Sequence, residues 1–267
     1  MKSKVFKILA LAVLACICLT SLCSCDKGKT LAEIQSAGKL VIATSPDFPP
    51  FENLNSDGSV TGIEIDIMQE ICDSLGVELE IAQMSFDSVL PGVIAGKYDV
   101  GVSGITVTEK RQKNSLFTDP YCLAAQAIVV VAGSDIQTKA DLAGKKVSVQ
   151  TGTTAESYCM DNGYTVLAYE ANSDAENAVV TGKVDAWVID DLTAAEMVKV
   201  YNAENNGTEL VILSEAMTTE PYAFAFAFGS EDLVEEVNKI LKKMADSGKI
   251  KEIFEKFDAP FTAPDAN

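Results

Sequence analysis

From residue 31 onward the chain alternates two apolar rhythms. KLVIATS, residues 39–45, is a short continuous apolar run and predicts a buried strand. It runs into PDFPPFEN, where three prolines forbid continuation of either regular element. Residues 63–76 set Ile67, Ile71 and Leu75 four apart, which is one face of a helix, with Gly76 as its stop. VELEIAQM predicts the next strand, FDSVLPGVIAG a short helix, and YDVGVSG another strand.

The rhythm restarts after DPYCLAAQAIVVVAG. A strand over residues 146–150 leads into a Gly-Thr-Thr turn and a helix start. YTVLAY, a helix around NSDAENAVVTG, and KVDAWVID then follow in order. EPYAFAFAF is apolar almost throughout, so as a strand it must be largely buried. The tail holds two helical patterns parted by Ser247-Gly248. Strands separated by helices predict an α/β fold with mainly parallel sheets. The pattern divides into two units, near residues 31–123 and 127–218. Periodicity does not assign the tail to either. In such sheets ligands lie beyond the carboxyl ends of the strands.

The beginning of the chain obeys a different logic. MKSKVFK supplies three lysines, and ILALAVLACICL is an apolar core short for a membrane-spanning helix. Residues 1–24 therefore read as a secretory signal peptide. The segment closes on LCSC, which resembles a bacterial lipobox, so Cys25 is expected to be lipidated and to begin a linker over residues 25–30. An ordinary signal peptide cut nearby is the alternative. Loss of residues 1–24 removes three lysines and no acid, moving the formal charge from −18 to −21. Such a surface repels nucleic acid and anionic lipid. Three cysteines remain, Cys72, Cys122 and Cys159, too few for a disulfide scaffold, although a Cys122–Cys159 bridge is conceivable. The chain has no histidine, which removes the commonest general base and transition-metal ligand.

Cation usage singles out one residue. There are 20 lysines and one arginine, Arg111. It follows a strand end bearing Ser103, Gly104 and Thr106. Glycine permits close backbone approach, and a guanidinium offers two parallel donors that fit a carboxylate. The competing reading is a surface pair with Glu109 or Asp119. TGTTAE, residues 151–156, could accept an anion at a helix N-terminus, or Thr153 and Thr154 could simply cap it. Asp190, at the tip of KVDAWVID, could meet an ammonium or could cap the helix that follows. Phe48, Phe51 and Phe86 stand in or beside loops, where they could wall a pocket or belong to the core.

Together these segments resemble the bacterial extracellular solute-binding proteins, family 3, that serve polar amino acid uptake. The resemblance covers about residues 31–258 and is carried by GIEIDIMQEICDSL, GKYDVGVSGITVTEKRQKNSLFTDPY, VQTGTTAE and GKVDAWVIDD. It implies a two-lobed periplasmic-binding-protein-like fold (type II). One lobe would comprise residues 31–123 with 222–267 and the other residues 124–221. The hinge crossings would lie near 121–127 and 215–224. In the resemblance Arg111 grips the ligand α-carboxylate, with Thr106 and Thr154 in support and Thr153 beside them in the site. Asp190 receives the α-ammonium, Phe48 and Phe86 sandwich the side chain, and Ser103 and Gly104 form a small polar floor. Basic-amino-acid binders often carry an aspartate where this chain has Ser45, and some relatives have glutamine at Ala155. Asp47 or Glu52 could supply a replacement acid.

The expected function is a lipid-anchored, monomeric receptor with no cofactor or metal. It would capture a free polar amino acid and deliver it to an ABC transporter permease at the outer face of the cytoplasmic membrane. A neutral polar side chain is the first choice, because no second arginine is present for an acidic one. Two alternatives stay open. One is an enzyme of the same fold, such as a prephenate or arogenate dehydratase or a lytic enzyme, using a carboxylate as general acid or base. The other is a sensory amino-acid-binding module. The sequence ends after FTAPDAN with no following span or kinase domain, which favours the transport receptor.

Overall fold

The computed structural model describes residues 28–204 and 207–264. The expected signal peptide, residues 1–24, and Cys25 lie outside these residues. Two five-stranded sheets dominate. In the first, β1 (Lys39–Thr44) runs parallel to β5 (Glu78–Gln83) on one side and β6 (Val100–Gly101) on the other. β15 (Ala225–Phe226) then pairs antiparallel with β6 and with the edge strand β7 (Leu116–Phe117). The second sheet repeats this plan. β10 (Lys146–Gln150) lies parallel between β11 (Thr165–Tyr169) and β12 (Ala186–Asp190). β9 (Gln126–Val131) closes it antiparallel, against β12 and the edge strand β13 (Leu210–Ile212). The fold is a two-lobed α/β fold, each lobe built on one of these sheets.

The central strands are apolar on both faces because helices cover both. On the first sheet α1 (Leu31–Ala37), α2 (Ile63–Leu75) and α3 (Phe86–Ile94) do so. The short α4 (Glu109–Gln112) follows β6. The second sheet carries α5 (Thr154–Asp161), α6 (Asn172–Val180) and α7 (Asp191–Ala203). Gly62 starts α2 at φ 151°, where a Cβ would fall 2.1 Å from the Phe51 carbonyl oxygen, so only glycine fits. Gly76 ends the helix in the left-handed conformation.

Packing decides what periodicity left open. The tail helices α8 (Glu231–Asp246) and α9 (Lys249–Lys256) return to the first sheet, against α1, α2 and β7. α8 does so through Leu233, Val237, Ile240, Leu241 and Met244. EPYAFAFAF is not one strand. Glu220–Tyr222 (β14) pairs antiparallel with Cys122–Ala124 (β8), forming the double crossing between the lobes, and Ala225–Phe226 belongs to the first sheet. The run is apolar because it passes through two cores in succession. Cys72, Cys122 and Cys159 are separate buried thiols, so no Cys122–Cys159 bridge forms.

Candidate functional site

A small three-stranded sheet, β2 (Asp47–Phe48), β3 (Glu52–Leu54) and β4 (Val60–Thr61), folds PDFPPFEN over the carboxyl end of β1. It turns the Phe48 ring inward, stacked on Phe51 at 5.6 Å between centroids. Gly104 adopts φ 54°, and a Cβ there would sit 2.6 Å from the Phe48 ring. Glycine is therefore needed where the floor meets the aromatic wall.

The floor is held from behind by two fully buried glutamates. Gly104 N–H and Tyr121 O–H donate to Glu64 at 2.9 and 2.7 Å. Ser103 Oγ donates to Glu52 at 2.7 Å and accepts from Ser45 N–H at 3.1 Å. Burial first, and then the neighbouring Glu64, hold Glu52 well above the usual carboxylate range. Glu52 Oε2 receives no other donor, and its hydrogen-bonding contact with the Glu64 carboxyl raises Glu52 further. Burial also raises Glu64, opposed by its hydrogen bonds from Glu52, Tyr121 and Gly104.

Arg111 reaches the cavity from α4, whose N-cap Thr108 accepts the Arg111 N–H at 3.2 Å. Its Nη1 donates to the Thr106 carbonyl at 2.8 Å and its Nη2 to the Gly152 carbonyl, in the other lobe, at 3.2 Å. The guanidinium lies 5.7 Å above the Phe86 ring. Glu109 and Asp119 are not its partners. Burial lowers the Arg111 pKa, and the Glu220 and Asp190 carboxylates oppose that shift.

The facing wall is built from strand ends of the second sheet. Thr153 caps α5, accepting Glu156 N–H at 3.1 Å and donating to the Gln150 carbonyl at 2.8 Å. Thr154 Oγ1 donates to Glu220 at 3.0 Å and accepts from Gln126 at 2.9 Å. That hydroxyl is committed, so what α5 offers an anion is its first-turn backbone N–H groups, which have no intrahelical acceptor. Asp190 precedes α7 without capping it. Asp191 does the local work instead, accepting from Ala125 N–H at 3.2 Å and its own neighbour Leu192 N–H at 2.8 Å. The Asp190 carboxylate is left to face the cavity and accepts a short hydrogen bond from Tyr222 O–H. Enclosure away from water, and next the Glu220 charge, push its pKa up to about 8.

One narrow cavity of about 20 Å³ gathers Phe48, Phe86, Ser103, Gly104, Thr106 and Arg111 from one lobe with Thr153, Thr154 and Asp190 from the other. Ser45 is not among its walls; it is buried behind them, its Oγ donating to Asp47 at 2.8 Å. Gln150 lines the cavity and was not singled out from sequence, although it stands at a strand tip inside VQTGTTAE. Glu64, Glu220 and Tyr222 were also missed as site residues. Only the alternating acids of GIEID and the aromatic run after residue 220 hinted at them.

A cavity between two α/β lobes, with one cation and one carboxylate on its walls, defines a binding fold for a small solute. The comparisons agree, since residues 40–259 match the bacterial extracellular solute-binding proteins, family 3, and the chain belongs to that family. It is 29% identical over 236 residues to the L-cystine-binding protein TcyJ of Escherichia coli (strain K12), covering 87% of this chain and 86% of that one. The arginine-bound form of truncated ArgBP from T. maritima superposes with a TM-score of 0.73 at 39% identity, covering 80% of this chain and 99% of that one. An ancestral arginine-binding protein bound to glutamine superposes at 0.76 and 37% identity, covering 84% and 99%.

Proposed function

We propose that the protein is an extracellular receptor for a free amino acid, which it encloses between its lobes and hands to an ABC transporter permease. The observation that carries this reading is the pairing of Arg111 and Asp190, opposite charges on the walls of one cavity. The guanidinium donors not used by Thr106 and Gly152, with the first amides of α5, take the α-carboxylate. Asp190 takes the α-ammonium. The rings of Phe48 and Phe86 cover the side chain, and Ser103 and Gly104 lie under it. Both charged groups are consumed by the zwitterion, which supports a receptor and not a dehydratase. Incubation with prephenate should yield no product above background.

The side-chain preference shifts from the sequence-based expectation. Glu220 acts on both Arg111 and Asp190, a carboxylate beyond the one that takes the ammonium, and such a field favours a cationic ligand. The likeness to arginine-bound proteins points the same way, so a basic amino acid becomes the first choice. A neutral polar one such as glutamine is second, favoured by Asp47 being already occupied with protein donors. Calorimetric titration with arginine, lysine, histidine, glutamine and cystine decides between them. A single tight site for a basic amino acid is expected. Tighter binding of glutamine or cystine reverses the order, and binding of none overturns the receptor.

Lobe boundaries at residues 31–123 with 222–267, and at 124–221, fit the pairing of β8 with β14. Residues 1–24 act as a signal peptide, and a lipid on Cys25 keeps the monomeric receptor beside its permease. Mass spectrometry of the membrane fraction should find a diacylglyceryl N-terminus at Cys25, and C25A should release the protein from the membrane.

A further inference from the structure

The first turn of α6 is completed from the opposite lobe. Its N-cap residue, Ala171, has no side chain able to accept a hydrogen bond. The first helical N–H, that of Asn172, instead donates to Asp47 Oδ2 at 2.8 Å, across the cleft from β2. Gln150 Nε2, also on the second lobe, donates to the same oxygen at 3.1 Å. In return Asn172 Nδ2 donates to the Asp47 carbonyl at 3.3 Å and to Gln150 Oε1 at 3.2 Å. Ser45 Oγ, on the first lobe, fixes the other carboxylate oxygen at 2.8 Å.

We propose that Asp47 is a closure latch: a carboxylate of one lobe that serves as the N-cap of a helix in the other, and so positions the lobes in the shut state. α5 provides the internal contrast, because its cap, Thr153, belongs to its own lobe and is unaffected by opening. On opening, α6 would lose its capping group, and the Asn172 side chain, 1% exposed in this structure, would lose the Asp47 carbonyl and keep only Gln150. Charge-assisted bonds of this kind form only once the lobes meet. They therefore add to the lifetime of the closed form and not to the rate of encounter. Any ligand held between the lobes inherits that lifetime, whatever its side chain. The link to ligand release rests on the receptor reading above; the latch itself does not.

The test has a ligand-free arm and a ligand arm. Nitroxides are placed on exposed Lys97 and Met160 as K97C and M160C, and interlobe distances are measured by double electron–electron resonance on ligand-free protein, with and without D47A. The parent should populate the short distance of this structure, and D47A should move that population to longer distances. D47N keeps an acceptor for Asn172 N–H but sets an NH₂ group against Ser45 or Gln150, so it should fall between the two. Identical distributions for the parent and D47A overturn the latch. In stopped-flow binding of the best amino acid, D47A should raise the dissociation rate roughly tenfold and leave the association rate within about twofold. An unchanged dissociation rate also counts against the latch. Failure of the parent to bind any amino acid would instead break the receptor reading, and the distance measurement would still judge the latch.

Discussion

The two walls of the cavity are built on opposite principles. The first-lobe floor is finished within its own lobe. Ser103 and Gly104 are held by Glu52 and Glu64, which are buried and bonded before any partner arrives. The second-lobe wall presents unfinished groups: the first amides of α5, the uncapped start of α6, and an Asp190 carboxylate that enclosure pushes toward neutrality. A preformed floor sets the shape that a ligand must match. An unfinished wall gains most from closing, because its donors and charge find partners only across the cleft. Ligand and opposite lobe thus each supply part of what is missing.

The largest expected effect breaks the charge pair. R111A leaves the ligand carboxylate in the cavity without its counter-ion and should weaken binding by about 3 kcal/mol or more, over a hundredfold, by calorimetry. Unchanged affinity would end the receptor reading.

D190N should weaken binding nearly as much, and Asp190 should also set the pH dependence. Its pKa in the folded protein, about 8, lies above the ordinary 3.8, so its proton must leave before an ammonium can pair with it. Affinity should fall roughly tenfold per pH unit below about 8, with proton release detectable as a buffer-dependent binding enthalpy. Stability takes the opposite sign. The neutral carboxyl favours the native state below pH 3.8, and that contribution is lost as pH rises toward about 8. A flat affinity profile between pH 6 and pH 8 would show that Asp190 does not receive the ammonium.

The floor is sharpened by E52Q. Because the folded pKa of Glu52 is raised, its contribution to stability is present in acid and lost as pH rises through that pKa. Glutamine keeps a donor toward Glu64 and cannot ionise. E52Q should therefore match the parent near pH 5 and melt higher than it at pH 9. E52A should lose about 2 kcal/mol near pH 5, because Ser103 and Glu64 are left without a buried partner, and less at pH 9. The smallest effect is T153A, which removes the N-cap of α5 and should cost about 1 kcal/mol in chemical denaturation.

Strand and helix order was legible because each element carries its own period, as in KLVIAT with period-free burial and IEIDIMQEICDSL with apolar residues four apart. The cavity's charged residues were legible for a different reason. A lone arginine among lysines and an aspartate at a strand tip are conspicuous without coordinates. Gln150, Glu64 and Tyr222 were not, since a glutamine at a strand end or a glutamate in a helix has many ordinary uses. Ser45 was placed in the site by the resemblance, and in the fold it stands behind the wall, bonded to Asp47.

The sequence by itself determined the α/β rhythm, the acidic surface, the family and the pair Arg111 and Asp190, since composition and local periodicity survive in one dimension. Only the tertiary structure decided that EPYAFAFAF serves two sheets and that the tail joins the first. It also decided that Thr154 spends its hydroxyl on Glu220 and that Asp47 caps a helix 125 residues away. Each of these depends on which group reaches a donor or a core first in space, and separation along the chain carries no record of that competition.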